Sequence, residues 1–205
     1  MKRIDESLVP DAMPRQGPAW LATIAAWGFR QRGWTASGKM VDAPKAILAV
    51  APHTSNWDFF IGLFVLFALR LKVSFFGKHT IFIPPLGWLM RKLGGIPIER
   101  SRAHGMVEGI SVSIEKQQKM VLALAPEGTR KGVYPWKTGF LHIARQATIP
   151  VQLIGLDYQR KQLVFGPVLR QIDDVSEQMQ KIYTFYANVA GKYPENCFTS
   201  EFPRE

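Results

Sequence analysis

Short apolar runs that favour β-strands alternate along this 205-residue chain with segments that favour helices. Apolar runs bounded by turn residues predict strands, and apolar residues three or four positions apart predict helices. Strands are predicted near residues 46–51, 73–76, 94–100 and 120–125, from 149 and around 164–165, and helices near 18–32, 56–70, 84–93, 103–117, 138–146 and 175–189. This alternation predicts one α/β domain with a mixed, mostly parallel sheet flanked by helices. We expect it to span residues 35–193, after an N-terminal arm and possible interfacial helix (1–34) and before a polar tail (194–205).

His53 follows the first of these strands, and Asp58 lies five residues after His53. Ser55 and Asp58 have capping-box-like spacing ahead of an apolar helix, so Ser55 is the predicted N-cap and Asp58 lies in the first turn. The helix dipole favours an ionised carboxylate there. Asp58 can then orient His53 and leave its other ring nitrogen free as a base. A pair at this spacing also arises by chance, so Asp58 could be only a cap.

Further strands deliver polar residues to the same edge of the predicted sheet. The strand at 94–100 ends in an arginine, and the strand at 120–125 is followed by the sequence Pro-Glu-Gly-Thr-Arg at 126–130. Another strand opens at 149–151 with Ile-Pro-Val. Open α/β sheets bind ligands at the carboxyl ends of their strands. The order of these residues therefore predicts one shared pocket.

Taken together, these motifs resemble those of the glycerolipid acyltransferase family, which includes the 1-acylglycerol-3-phosphate acyltransferases. The similar segments are residues 53–58, 94–100, 126–130 and 149–151, which match the family's first, second, third and fourth motifs in order. Lys137 is also similar to the stretch between the third and fourth motifs. The resemblance covers roughly residues 45–156 and implies a glycerol-3-phosphate acyltransferase-like fold.

The resemblance implies an enzyme that moves a fatty acyl group from acyl-CoA or acyl carrier protein to the hydroxyl of a lysophospholipid-like acceptor, such as lysophosphatidic acid. His53 is then the general base and Asp58 its partner, with no covalent intermediate, no cofactor and no metal. The residues expected to bind substrate are Lys78, Arg100, Glu127, Gly128, Thr129, Arg130 and Lys137. Departures from the family pattern at Pro52, Lys131 and Leu153 leave the identity of the acceptor open.

The chemistry of the proposed binding residues allows more than one role. Arg100 and Arg130 carry forked donors that fit a phosphate group. They could instead form structural ion pairs with Glu99 or Glu127. Glu127 could also accept a hydrogen bond from the acceptor hydroxyl, and Lys137 is either a phosphate contact or a surface lysine.

The positive charge of the chain lies in the segment that carries the second and third motifs. The net charge is +10, and residues 70–161 hold 15 Lys and Arg against five Asp and Glu, which accounts for the whole excess. Such a segment favours anionic partners, among them phosphate-bearing lipids, coenzyme A, acyl carrier protein, an anionic membrane surface or nucleic acid. Its overlap with the motifs favours substrate over nucleic acid or a merely solvated surface.

Tryptophans in the first predicted helix indicate contact with a membrane surface. Trp20, Trp27 and Trp34 recur every seven residues, and Arg30 and Arg32 lie near the helix end. Tryptophan and cationic side chains together are typical of an interfacial helix. Packing of the same tryptophans on the domain core is the alternative.

Other features suggest a peripheral, cytoplasmic protein. The apolar runs at 18–29 and 59–69 are too short to span a bilayer, and residues 1–16 lack an apolar secretory segment. The single cysteine, Cys197, suits a reducing compartment. We expect the chain at the inner face of the membrane.

Two functions of other kinds stay open at this stage. A hydrolase would use the same His–Asp pair to activate water against a thioester. A basic binding module for membranes or nucleic acid would carry out no chemistry.

Overall fold

The computed structural model of the chain describes residues 1–84, 86–98 and 106–197. Within these ranges, seven strands form one sheet, and α-helices flank it. The strands are β1 (Thr35–Gly38), β2 (Lys45–Ala51), β3 (Ser74–Lys78), β4 (Gly95–Ile98), β5 (Met120–Leu124), β6 (Val151–Asp157) and β7 (Gln162–Leu169). The helices are α1 (Ala19–Gln31), α2 (Trp57–Leu69), α3 (Leu86–Lys92), α4 (Met106–Lys116), α5 (Gly139–Gln146) and α6 (Val175–Tyr186).

The sheet is mixed and mostly parallel, as predicted. Its strand order is β1-β7-β6-β2-β5-β3-β4. The five strands from β6 to β4 run parallel to one another, β7 is antiparallel to β6, and β1 is parallel to β7. This arrangement confirms the predicted single-domain α/β class.

The central strand β2 separates two apolar layers. Ala46 and Leu48 belong to a core cluster that includes side chains of α1 and α2. Ile47, Ala49 and Ala51 belong to a second cluster, with side chains of α4, α5 and α6. Successive residues of a strand point to opposite faces, so β2 contributes to both layers. A parallel sheet covered on both faces explains why β2 and β6 are mostly apolar and show almost no alternation of apolar with polar residues.

The register of the central strands brings their following loops together. Ala51 of β2 pairs with Gly155 of β6, and Ala49 pairs with Leu124 of β5. These three parallel strands therefore end close to one another at the same edge. The segments that follow β2, β5 and β6 begin side by side.

The N-terminal segment differs from the polar arm that we expected. Ile4, Val9 and Met13 are buried in the same cluster as α1 and α2. The first strand, Thr35–Gly38, was also not predicted, because it has no apolar run; it pairs with β7 at the edge of the sheet. Main-chain hydrogen bonds between Lys2 and Ala36 and an ion pair between Glu6 and Arg70 also hold the N-terminal segment on the domain. The domain boundary at residue 34 stays a prediction.

The end of the domain packs against the loop that follows β2, and the first residues of the expected polar tail pack against the end of the domain, where Cys197 Sγ accepts the Gly191 N–H at 3.2 Å. The Tyr193 N–H donates to Thr54 Oγ1 at 3.2 Å. A Cβ atom on Gly191 would lie 2.8 Å from both Thr54 Cγ2 and Cys197 Sγ, so only glycine fits this approach. Residues up to Cys197 thus contact the domain, and residues 198–205 lie outside the described residues.

The helices of the described ranges are short. None of them combines the length and the apolar character needed to cross a bilayer.

Candidate active site

Loops from three neighbouring strands meet at the carboxyl edge of the sheet. The loop after β2 carries His53 and leads to Asp58 at the start of α2, Glu127 follows β5, and Tyr158 follows β6. Because β2 lies between β5 and β6, residues of the two outer loops reach the middle one. This is the edge at which α/β sheets bind ligands.

His53 and Asp58 lie together, as predicted. The His53 Nδ1 atom is 3.3 Å from Asp58 Oδ2, and the two side chains are 30% and 2% exposed. The carboxylate therefore faces one ring nitrogen and leaves Nε2 as the nitrogen available to a substrate. A partly exposed imidazole held by a buried carboxylate is suited to general-base chemistry.

The Asp58 carboxylate accepts several further hydrogen bonds. Its Oδ2 atom accepts the backbone N–H groups of Thr54 at 2.7 Å and Ser55 at 2.6 Å. Its Oδ1 atom accepts the Ser55 hydroxyl at 3.1 Å and the Tyr158 hydroxyl at 2.6 Å. Asp58 thus fixes the course of its own loop as well as the histidine.

These hydrogen bonds keep Asp58 ionised. Burial raises its pKa, but hydrogen bonds from His53, Tyr158, Ser55 and Thr54 together outweigh burial and hold the pKa below its usual value. Its place in the first turn of α2 adds the favourable end of the helix dipole. Asp58 is therefore an anion that can stabilise a protonated imidazole.

The predicted N-cap is one residue out of place. Asn56, and not Ser55, is the N-cap of α2, and it already has helical torsions (φ −66°, ψ −24°). The Ser55 hydroxyl still accepts the Trp57 N–H at 3.1 Å. Ser55 therefore forms the capping hydrogen bond that was predicted for it, although the helix begins one residue later than expected.

Glu127 holds the main chain of His53. Its two carboxyl oxygens lie 3.1 and 2.9 Å from the His53 backbone nitrogen, which donates to them. The residue is 5% exposed. The structure records no ion pair between Glu127 and Arg130, so the predicted structural pair with that arginine is not formed. The described contact makes Glu127 a support for the loop after β2.

Burial changes the protonation of Glu127. Desolvation raises its pKa most, the His53 N–H lowers it, and the charge of Asp58 raises it again, to about 8. A neutral carboxyl group is thus favoured beside the ionised Asp58. At neutral pH, Asp58 therefore carries a negative charge and Glu127 is mostly neutral.

The residues after Glu127 form a turn that Lys137 covers. Gly128 has a positive φ of 66°, and a Cβ atom there would lie 3.6 Å from Lys137 Cδ and 4.0 Å from its Nζ. Thr129 accepts the Lys131 N–H at 3.4 Å through its hydroxyl. Arg130 and Lys137 are exposed, and neither forms an ion pair with the residues that the structure describes. Their charges therefore lie at the surface of the site.

Two predicted binding residues cannot be placed in the same way. Lys78 is the last residue of β3, at the carboxyl edge of the sheet, and its side chain is outside the described part of the structure. Arg100 lies outside the described residues altogether. Their roles stay predictions.

An apolar cavity of about 250 Å³ adjoins the pair. His53 and Asp58 are the polar residues of its lining, and the rest of the wall is apolar. The apolar lining includes Phe59, Gly62, Leu63 and Leu66 from α2, Phe75 from β3, Leu48 and Val50 from β2, and Ile154 and Leu156 from β6. The cavity is thus lined by α2 and by strands of the sheet, with His53 and Asp58 in its wall.

Tyr158 is the member of this site that sequence reasoning missed. It is 100 residues from Asp58 along the chain, and no local motif connects the two. The available signal was its place directly after β6, at the same sheet edge as the other loops. Within the described ranges, no three His, Cys, Asp or Glu side chains are grouped to hold a metal ion.

Comparison with known proteins agrees with this geometry. The profile of the Acyltransferase family matches residues 35–156. The chain belongs to this family. The matched segment runs from β1 to the end of β6 and includes His53, Asp58, Glu127 and the apolar wall formed by α2.

Curated relatives share this segment. The chain is 31% identical over 116 residues to a 1-acyl-sn-glycerol-3-phosphate acyltransferase of Saccharomyces cerevisiae, in an alignment that covers 53% of the chain and 38% of the yeast protein. It is 30% identical over 108 residues to the protein of the same name in Escherichia coli, which covers 50% of the chain and 43% of that protein. The matches thus span about two-fifths of these relatives' lengths.

A solved structure has the same fold. The crystal structure of the 1-acyl-sn-glycerophosphate (LPA) acyltransferase PlsC from Thermotoga maritima superposes with a TM-score of 0.55 over 80% of this chain and 75% of that one. The two sequences are 16% identical, so this likeness concerns the fold alone.

The raised pKa of Glu127 predicts a pH-dependent stability. The native pKa of about 8 exceeds the reference value of 4.5, so the native state binds more protons between these values. Protonation of Glu127 therefore contributes fully to the free energy of unfolding below pH 4.5. This contribution, on the order of 5 kcal/mol, is lost as the pH rises through 8. Glu127→Gln keeps an acceptor for the His53 N–H and removes the titration. We expect chemical denaturation to show a free energy of unfolding that falls less steeply from pH 5 to 9 in this variant.

Because all other titrating groups are common to both proteins, the difference between their curves isolates Glu127. Parallel curves for the wild type and Glu127→Gln would contradict the assignment.

Proposed function

We propose that this chain transfers a fatty acyl group from a thioester, acyl-CoA or acyl carrier protein, to the hydroxyl of a lysophosphatidic acid-like acceptor. The observation that carries the proposal is the His53–Asp58 pair, 3.3 Å apart, at the end of an apolar cavity. Membership of the Acyltransferase family and the names of the relatives support it.

In the proposed reaction, His53 acts as a general base. Its Nε2 atom takes the proton of the acceptor hydroxyl as the oxygen attacks the thioester carbon. The tetrahedral intermediate then expels the thiolate, which receives the proton back from the imidazolium. Asp58 stabilises the imidazolium, and positioned base catalysis of this kind contributes about 10²–10⁴-fold.

The nearby hydroxyl groups support direct transfer without an acyl-enzyme. Ser55 Oγ is buried, donates to Asp58 and accepts the Trp57 N–H. Thr54 Oγ1 accepts the Tyr193 N–H and is also buried. Both hydroxyls have structural partners, so the acceptor hydroxyl is the nucleophile in our proposal.

The surfaces around the pair suggest where each substrate binds. The apolar cavity suits the acyl chain, because its polar residues lie only at the reacting end. Arg130 and Lys137, exposed after Glu127, suit the phosphate of the acceptor or donor. We propose the same role for Arg100 and Lys78. In this proposal the site takes no cofactor beyond the acyl donor.

Exposed aromatic residues support work at a membrane surface. Trp20 and Trp27 of α1 are 64% and 56% exposed, whereas Trp34 is buried. Phe60 and Phe64 of α2 are each 50% exposed. Two of the three tryptophans are thus available to a lipid interface, and α2 offers a second apolar face. We propose a cytoplasmic protein bound peripherally to the inner face of the membrane.

The catalytic role of His53 can be tested with purified protein, a labelled acyl donor and a panel of lysolipids. We expect His53→Ala to lower acyl transfer by at least about 100-fold, because the base is lost. Asp58→Asn should lower kcat more than it changes KM. His142→Ala, on an exposed face of α5, is the matched control and should retain activity.

The same assay separates the alternatives. Thioester cleavage that does not depend on an added lipid would indicate a hydrolase. A folded wild-type protein without any turnover would favour a binding module, and normal transfer by folded His53→Ala would refute the mechanism.

The cavity predicts that residue 62 affects the preferred acyl length. Gly62 lies in α2 and lines the cavity, and a Cβ atom there would meet nothing within 4 Å. Gly62→Leu fills open space at no cost in helix propensity. We expect turnover of long-chain donors to fall by about tenfold relative to short-chain donors. Competition between donors of different length measures this ratio.

Gly109→Leu is the control, since Gly109 is an equally open helical position in α4, outside the cavity lining. An unchanged length preference in Gly62→Leu would place the acyl chain elsewhere.

The role of α1 can be tested by sedimentation with anionic vesicles. We expect binding that weakens as salt screens the basic residues. Trp20→Ala with Trp27→Ala should lower binding further, because both indoles are exposed. Val112→Ala, an exposed apolar change on α4, should have no effect. Full binding by the folded double tryptophan variant would reject α1 as the anchor.

A further inference from the structure

Tyr158 contributes a hydrogen bond to the His53–Asp58 pair from a different part of the fold. It follows β6 directly, and its hydroxyl donates to Asp58 Oδ1 at 2.6 Å. Apart from His53, the other partners of the carboxylate are Thr54 and Ser55, its own neighbours in the loop. Among the described residues, Tyr158 is therefore the contact that connects this carboxylate to another strand of the sheet.

The position of the tyrosine ring is itself fixed. Its edge-to-face contact with Trp34 has a centroid distance of 5.4 Å and an interplanar angle of 84°. Its backbone N–H donates to the Ala190 carbonyl at 2.8 Å. Burial, the hydrogen bond to Asp58 and the charge of Asp58 all raise the pKa of Tyr158. The hydroxyl thus remains a donor whenever Asp58 is ionised.

We propose that Tyr158 is a positioning residue for acyl transfer, which holds the Asp58 carboxylate in the orientation that presents His53 to the acceptor. The inference rests on the proposed function, because it assigns Tyr158 a part in the same reaction. Asp58 Oδ2 is held by two backbone N–H groups, whereas Oδ1 is held by the hydroxyl groups of Ser55 and Tyr158. Of these two hydroxyls, that of Tyr158 comes from outside the loop and gives the shorter hydrogen bond, 2.6 Å against 3.1 Å.

The hydrogen bond also adjusts the charge that His53 experiences. A donor at Oδ1 withdraws charge from the carboxylate, so it reduces the stabilisation of the imidazolium. Loss of the donor leaves a stronger anion 3.3 Å from Nδ1, so the pH dependence of acyl transfer should change. Among the described residues, the titratable groups that interact with Asp58 also include Glu127 after β5 and Cys197 in the C-terminal segment.

Tyr158→Phe tests the proposal, because it keeps the ring against Trp34 and removes only the hydroxyl. We expect kcat for acyl transfer to fall by roughly tenfold with KM for both substrates within about twofold. The acidic limb of the kcat/KM profile should move to higher pH. Incorporation of 3-fluorotyrosine at position 158 makes the hydroxyl a stronger donor and should move the same limb to lower pH.

Tyr186→Phe is the matched control for loss of a buried hydroxyl. Tyr186 donates to the Ala49 carbonyl and accepts the Ile154 N–H, within the other apolar layer. We expect it to lower stability and leave the pH profile in place. If the wild type is active and neither Tyr158 variant shifts the profile, the positioning role is refuted while the proposed function stands. Absence of transfer in the wild type would instead refute the proposed function.

Discussion

The buried carboxylate of Asp58 is the interaction on which the site depends. It accepts hydrogen bonds from the backbone N–H groups of Thr54 and Ser55 and from two hydroxyl groups. It also lies next to the imidazole of His53. An anion buried to this degree is tolerated only when it is fully hydrogen-bonded. The turn between β2 and α2, the start of the helix and the orientation of the imidazole therefore follow from satisfying one charged group.

The site contains two buried acids, and the protein treats them differently. Asp58 has enough donors to remain ionised, whereas the pKa of Glu127 is raised to about 8 by burial and by the charge of Asp58. Two adjacent buried anions would repel each other in a medium of low dielectric constant. One neutral and one charged acid support the His53 backbone and side chain without that repulsion.

The sequence predicted those features that depend on local patterns. Each of these patterns spans about ten residues or fewer. They are the apolar runs of β2 and β5, the spacing of His53 and Asp58, and the start of a helix between those two residues. The fold class and the family are confirmed by the sheet and by the match to residues 35–156. Motif order alone indicated that these strand ends share one edge.

The features that the sequence did not predict depend on contacts between distant residues. The Glu127 contact goes to a backbone N–H, which carries no residue identity, and it requires the register between β2 and β5. Tyr158 reaches Asp58 only because β6 lies next to β2. The burial of Ile4 and Met13 depends on a surface made by α1 and α2, so a polar composition gave the wrong expectation for that segment.

Helix α2 has apolar side chains on all sides, and its two faces meet different surroundings. Gly62 and Leu63 line the cavity, while Phe60 and Phe64 are exposed. The wall between the cavity and the exterior is thus a single helix, about 10 Å across. Phe59 faces both the cavity and the exterior, since it lines the cavity and is 37% exposed. Its ring also contacts that of Phe75 in β3. A smaller residue at position 59 would remove the ring that contacts Phe75 and would open the cavity to the exterior between α2 and β3.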